Sequence, residues 1–241
     1  MPELARRLVK IEASDGRRAG FGCLLEGNLI VTCAHVVAAA CGPPVDRCGP
    51  KPAVPVTVRF PESAIRVPLQ AGIVGWWPYP AGPVPADGLA DIAFLHLDAP
   101  APLDAETSVL SPRKDFGGQE FFALGYIAGS GDVSTKGRVA ARLPCRWHEL
   151  VKTTDQFGDQ IEPGFSGAPV WLTGLSVVAG IISAHRKDAS KAAGLMIPGE
   201  VLEAAWQRIL AAPDRPLVGA APRSIAGATG HMVDITDRAH G

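Results

Sequence analysis

The sequence predicts an all-β protein closed by one C-terminal helix. Three observations carry this reading. The 241 residues include 27 glycines and 22 prolines, spread along the chain as turn and loop breakers. Between them lie short apolar or alternating stretches of strand length rather than helix length. Only residues 200–210 hold a sustained helical period, with Val201, Leu202, Ala205, Trp206 and Ile209 recurring on one face.

The elements follow in order. Leu8 to Ala13 is a strand candidate. Gly20–Leu25 and Leu29–Thr32 flank Glu26-Gly27-Asn28, a hairpin signal whose turn rests on Gly27 and Asn28. Ala34 to Ala40 makes a helical turn that must stop at Gly42-Pro43-Pro44. A Pro/Gly-rich loop from Cys41 to Pro55 leads to strands over Val54–Phe60, Ile65–Leu69 and Ile73–Trp77. A second breaker-rich loop, Pro78 to Gly88, precedes the apolar run Ile92–Leu97, with Asp91 at the junction. Residues 100–118 read as a connection between halves. The second half reads as strands over Glu120–Gly125, Thr135–Leu143, Leu150–Thr154, Ala168–Leu172, Val177–Ser183 and Leu195–Ile197, with a turn at Asp132–Gly137. Beyond Pro213 the periodicity ends, and residues 212–241 read as a linker or tail.

Composition excludes several classes. A net charge of −1 offers no electrostatic case for binding nucleic acid or an anionic membrane, and no apolar run spans a bilayer. Met1 to Lys10 lacks an apolar signal core, so the chain reads as cytoplasmic. Five cysteines, an odd number without framework spacing, read as free thiols rather than a disulfide network. Cys23 and Cys33 flank the first hairpin as the one bridge to weigh. Cys41, Cys48, Cys145 and His148 lack the close pairwise spacing of a zinc site. No cofactor is called for.

The chemistry concentrates in three short segments. Pro163-Gly164-Phe165-Ser166-Gly167-Ala168-Pro169 sets a serine between glycines; Thr32-Cys33-Ala34-His35 and Ala90-Asp91-Ile92-Ala93 lie upstream. A serine hydroxyl is a weak nucleophile until a base takes its proton, and an imidazole titrates near the working pH. A carboxylate on the other ring nitrogen holds the tautomer and stabilises the imidazolium. Ser166, His35 and Asp91 therefore read as nucleophile, base and orienting acid. The N–H groups of Gly164 and Ser166 read as an oxyanion hole, since glycine permits the tight bend that turns them inward. Asp87, in a Pro/Gly loop, and Asp98, after its strand, are the rival carboxylates. His96 reads as a strand surface residue, and His148, His231 and His240 carry no motif.

On these segments the chain resembles the trypsin-like (chymotrypsin-fold) serine peptidases. The histidine motif has Cys33 where alanine or glycine is usual. Gly180-Ile181-Ile182-Ser183 is similar to the strand that pairs with the substrate backbone, Gly194 to a glycine lining the specificity pocket, and residues 200–210 to the closing helix. The resemblance implies two six-stranded antiparallel β-barrels, about residues 8–100 and 118–200. The active site then lies in their cleft, within a peptidase domain over 1–211. It implies Gln160, Ser183, His185 and Gly194 as substrate-binding residues, with Asp159 and Glu162 beside Gln160.

In secreted zymogen-type relatives an aspartate precedes the serine and pairs with a new N-terminus. Phe165 stands there instead, so the pattern resembles the bacterial, Htr-like branch, without that branch's peptide-binding domain. The expectation is a serine endopeptidase module acting on proteins or peptides under a regulatory or adaptor partner. Its rival is a catalytically silent fold that binds extended peptides along Gly180 to Ala184. An esterase of the α/β-hydrolase type is disfavoured, because it needs a Gly-x-Ser-x-Gly elbow and a histidine last in order.

Overall fold

A computed structural model describes residues 5–43, 45–64, 67–127, 131–152, 161, 164–172, 177–185 and 193–212. Its strands form two closed barrels of six strands each. The first contains β1 (Leu8–Glu12), β2 (Arg18–Leu25), β3 (Leu29–Thr32), β4 (Val56–Arg59), β5 (Leu69–Trp77) and β6 (Ile92–Leu97), in the order β1-β2-β3-β6-β5-β4. The second contains β7 (Glu120–Ile127), β8 (Gly131–Arg142), β9 (His148–Lys152), β10 (Pro169–Leu172), β11 (Val178–His185) and β12 (Ala193–Pro198), in the order β10-β11-β12-β9-β8-β7. Every strand pair is antiparallel. Closure gives every strand two neighbours and leaves only short stretches of strand unpaired, the usual solution for an antiparallel β protein.

Helix α1 (Ala34–Cys41) leaves β3 directly, and α2 (Gly199–Ala211) leaves β12. The buried stripe of α2 is Val201, Leu202, Ala205, Trp206 and Ile209, the face read from periodicity. It spans both barrels. Trp206 meets Phe94 of β6 at a ring separation of 5.3 Å, and Ile209 fills the space where Gly75 of β5 lacks a side chain.

Two strand assignments change. The predicted strand over Ile65–Leu69 is absent among the described residues: Val67 and Pro68 are outside any strand, and Leu69 begins a long β5 that absorbs Ile73–Trp77. Pro68 lacks the N–H a ladder needs. The predicted turn at Asp132–Gly137 is the body of β8, paired residue by residue with β7. Its polar residues alternate outward while Thr135, Gly137 and Val139 are buried. Gly137 belongs there because a Cβ would stand 2.3 Å from the Val151 carbonyl oxygen. The hairpin turn holds, with Gly27 and Asn28 both at positive φ (71° and 62°). Residues 213–241, most of the predicted tail, lie outside the described residues.

Asp132 joins the barrels. Its carboxylate accepts hydrogen bonds from Lys10 Nζ of β1 at 3.1 Å and Arg18 Nη1 of β2 at 2.8 Å. Partial burial would push its carboxyl up, but the bonds from Lys10 and Arg18 outweigh this and hold it below its ordinary value. A depressed folded-state value adds stability above the unfolded value, and that stability is lost as pH falls through the folded value. The wild type should therefore melt above Asp132→Asn at neutral pH. The difference should close as pH falls below about 4 and shrink with added salt. Melting temperatures across pH and ionic strength check this; a difference indifferent to both would contradict it.

Candidate active site

The site forms where both barrels present short turns to each other. His35 is the second residue of α1, and Asp91 stands one residue before β6, the strand paired to β3. Register therefore brings the two segments together although 56 residues separate them. Asp91 is fully buried and takes the left-handed conformation, φ 57°. That conformation is uncommon for a residue with a side chain and is often held at functional positions by surrounding bonds. Here the Asp91 N–H donates to the Pro78 carbonyl at 3.0 Å. The preceding loop is pinned by the second barrel, through Trp147 Nε1 donating to the Gly88 carbonyl at 2.9 Å.

The carboxylate of Asp91 is satisfied from several sides. His35 Nδ1 lies 2.9 Å from Oδ1 and 2.8 Å from Oδ2. The backbone N–H of His35 donates to Oδ1 at 3.0 Å. Helix α1 has no capping side chain of its own at Cys33, so Asp91 supplies the acceptor that its first turn lacks. Ser183 Oγ, from the second barrel, donates to Oδ2 at 2.6 Å. With Asp91 on Nδ1, the other ring nitrogen, Nε2, is left for a substrate-side proton.

Ser166 lies in the turn before β10, between Gly164 (φ 118°) and Gly167 (φ 79°). Neither glycine can be replaced without collision. A Cβ at Gly164 would stand 1.9 Å from the Tyr126 carbonyl oxygen, and one at Gly167 would stand 1.9 Å from that of Phe21. The turn is stapled to both barrels: Phe21 N–H donates to Ser166 O at 2.9 Å, and Gly167 N–H to Ile182 O at 2.7 Å. Ser166 Oγ donates to the Ser183 carbonyl at 3.3 Å. Among the described residues that is its hydrogen-bond partner; it makes no such bond to the His35 ring.

Cys33 is fully buried, and its thiol donates to the Ile182 carbonyl at 3.2 Å. Burial, then the neighbouring Asp91 carboxylate, pushes this thiol far above the usual cysteine range. Sγ of Cys33, a His35 ring nitrogen and an Asp91 oxygen lie within 4.8 Å of one another, the only such donor group among the described residues. These donors are already committed: the thiol keeps its proton, and Asp91 serves His35 and Ser183. Cys41, Cys48, Cys145 and His148 do not assemble, and all five cysteines are free.

Of the rival carboxylates, Asp87 is engaged elsewhere. Asp87 pairs with Arg208 of α2 at 3.0 Å and accepts the Leu89 N–H, which holds its carboxyl below its ordinary value. His148 is buried with Nε2 3.2 Å from the Lys114 carbonyl oxygen, and burial lowers its pKa.

Of the expected substrate-binding residues, Ser183 turns its hydroxyl to Asp91 rather than to a pocket. Gly194 lies in β12 with Ile161 against it, so that a Cβ would stand 2.7 Å from Ile161 Cδ1. His185 is the last residue of β11, and its side chain, like Gln160, Asp159 and Glu162, lies outside the described residues. The open edge is shorter than Gly180–Ala184. Gly180 and Ile181 pair with both β10 and β12, and Ile182 bonds Gly167 and Ala168; among the described residues Ser183 lies at a bulge, and Ala184 and His185 pair with β12 only. Sequence reasoning missed Tyr79, whose ring meets the His35 imidazole edge-on, at 5.8 Å and 89°. Its Pro-Tyr-Pro setting carries no motif signal.

Residues 20–181 match the trypsin-like peptidase domain. The chain belongs to this family. By that membership it is a trypsin-like serine peptidase domain, and its barrels agree with solved peptidase structures. The serine endoprotease from Yersinia pestis superposes with a TM-score of 0.61 at 17% identity, over 86% of this chain and 63% of that one. This chain thus spans less than two thirds of that protein. The Rv3671c protease in an inactive form gives 0.56 at 18% identity, over 85% of this chain and 89% of that one. A serine-to-alanine mutant of Rv3671c from M. tuberculosis H37Rv, also in an inactive form, gives 0.57 at 20%, over 87% and 89%. No curated protein matches the chain. No helix among the described residues is long and apolar enough to cross a membrane.

Phe165, in the position that zymogen-type relatives give to aspartate, is fully buried. Its ring covers Gly125 of β7 so closely that a Cβ there would stand 2.3 Å from Phe165 Cδ1. An apolar plug thus anchors the serine turn. Phe165→Ala should cost about 3–5 kcal/mol by leaving a cavity, and Gly125→Ala about 1–3 kcal/mol by overpacking. The double variant should cost less than the sum, because the added methyl partly fills the cavity. Urea unfolding of all four proteins tests the coupling, and strict additivity would show that the two sites do not share this space.

Proposed function

We propose that the domain is a serine endopeptidase that cleaves proteins or peptides through His35, Asp91 and Ser166. The observation that carries the reading is the two-oxygen contact of buried Asp91 with His35 Nδ1, linked to the Ser166 turn through Ser183, which bonds both Asp91 and Ser166. As Ser166 Oγ bonds to the substrate carbonyl carbon, His35 Nε2 takes its proton and the C=O electron pair moves onto oxygen. The N–H groups of Gly164 and Ser166 receive that oxyanion. Asp91 stays ionised and holds the imidazolium. Collapse reforms C=O and breaks C–N, and His35 passes its proton to the departing amine. Water then repeats the cycle on the acyl-enzyme and frees Ser166. The unpaired edge of β11 at Ser183–His185 is where an extended substrate backbone adds as a strand.

The same reading places the domain in a bacterial, cytoplasmic setting as a regulated effector module. Five free cysteines support a reducing compartment. The Ser166–Ser183 bond supports regulation, since Ser166 Oγ must rotate toward His35 before reacting. A partner or adaptor domain that orders the Gly164 turn would supply that step, with Gln160, His185 and Gly194 shaping side-chain preference. The same observation favours the second reading, a silent peptide-binding module.

A fluorophosphonate probe separates the two. Wild type should be labelled at Ser166, with labelling abolished in Ser166→Ala and His35→Ala. Asp91→Asn should slow turnover by about 10⁴-fold, a magnitude carried over from the chymotrypsin triad. A folded wild type that resists the probe, alone and with candidate partners, would support the silent module.

A further inference from the structure

We propose that Arg47 selects substrates carrying a carboxylate side chain within two residues of the scissile bond. The proposal rests on the peptidase reading above and names its substrate class. Arg47 lies in the loop that joins α1, the helix bearing His35, to β4. That loop holds a definite shape. Asp46 Oδ1 accepts the Cys48 N–H at 2.9 Å, Gly49 N–H donates to Asp46 O at 3.0 Å, and Trp76 Nε1 donates to Gly49 O at 3.1 Å. Arg47 itself is gripped by Tyr79 at both ends. Tyr79 N–H donates to the Arg47 carbonyl at 2.9 Å, and the Arg47 guanidinium carbon lies 4.6 Å from the Tyr79 ring centroid.

Tyr79 is the residue whose ring edge touches His35. Arg47 is therefore one aromatic ring removed from the imidazole. Stacking occupies one guanidinium face and leaves its N–H fork at the rim, where a carboxylate is received bidentately. Among the described residues Arg47 has no ion pair or hydrogen bond from its side chain, whereas Arg7, Arg18, Arg59, Arg142 and Arg208 each meet a carboxylate. The charged neighbours on its loop do not cancel it: Asp46 is engaged by its own turn, and Lys51 Nζ donates to Ile73 O. Asp91, across His35, is satisfied by His35 and Ser183. An extended substrate advances about 3.3 Å per residue. The Tyr79 ring is 5.8 Å from the imidazole and the Arg47 guanidinium carbon 4.6 Å from that ring, so a carboxylate side chain within two residues of a carbonyl reacting at His35 has the reach to meet it.

The test uses peptidyl phosphonates that react at Ser166, identical except for Glu, Gln or Lys at each of the two positions before the phosphonate. Wild type should be labelled by the Glu probe about tenfold faster than by the Gln probe at one position, the strength of a charge-assisted contact at a partly exposed site. The preference should fall to near unity in Arg47→Gln and turn toward Lys in Arg47→Glu. Added salt should reduce it in wild type. Equal labelling by the Glu and Gln probes, or a preference that survives Arg47→Gln, overturns the proposal. A simple fluorophosphonate without peptide runs in parallel. If it labels Ser166 while the peptidyl probes do not discriminate or do not react, the acidic preference alone fails. If it does not label, either alone or with candidate partners, the peptidase reading fails, and the proposal with it.

Discussion

A buried carboxylate organises this molecule. Asp91 has no solvent contact, and an uncompensated charge in such a place is strongly unfavourable. Its compensation comes from several parts of the chain: the His35 ring, the first free N–H of α1, and the Ser183 hydroxyl of the second barrel. Each donor fixes something else. The ring contact sets which histidine nitrogen faces the cleft. The backbone contact caps a helix that has no cap of its own. The Ser183 contact ties β11 to the first barrel, so the orientation of His35 and the docking of the barrels are one problem.

The serine turn answers a related problem without charge. Phe165 is driven under Gly125 by its own burial; the main chain before it accepts a bond from β7 at Gly164, and the main chain after it is bonded to β2 and β11. Where secreted relatives rely on an ion pair made after cleavage, this turn is held by packing. An apolar anchor needs no proteolytic trigger, but it leaves the Ser166 side chain free to choose a rotamer, and here Oγ points to the Ser183 carbonyl.

The strongest signals in the sequence were local ones. The β2–β3 hairpin, the first strands, the run Ile92–Leu97 and the buried face of α2 were legible because burial imposes period 2 or 3.6 on residues close in sequence. The errors came where local chemistry pointed the wrong way. Asp132, Gly131 and Gly137 look like turn residues, yet β8 runs through Asp132 and Gly137 because Lys10 and Arg18 pair with the first and Val151 leaves no room for a side chain at the second. The Ser183 hydroxyl bond to Asp91 was not legible in its strand, since it depends on a bulge between Ile182 and Ala184 and on the second barrel meeting the first.

What the sequence alone determined was the kind of fold and the three short motifs holding His35, Asp91 and Ser166, because strand periodicity and glycine-flanked turns are written in neighbouring positions. The tertiary structure decided who meets whom. Asp91 rather than Asp87 faces His35, since the β3–β6 register sets the first beside α1 while Arg208 holds the second. Tyr79 meets the histidine and Arg47 meets Tyr79 only because two Pro-rich loops, separate in the chain, come together at one barrel rim. Such pairings depend on barrel closure, a long-range packing result that no local pattern encodes.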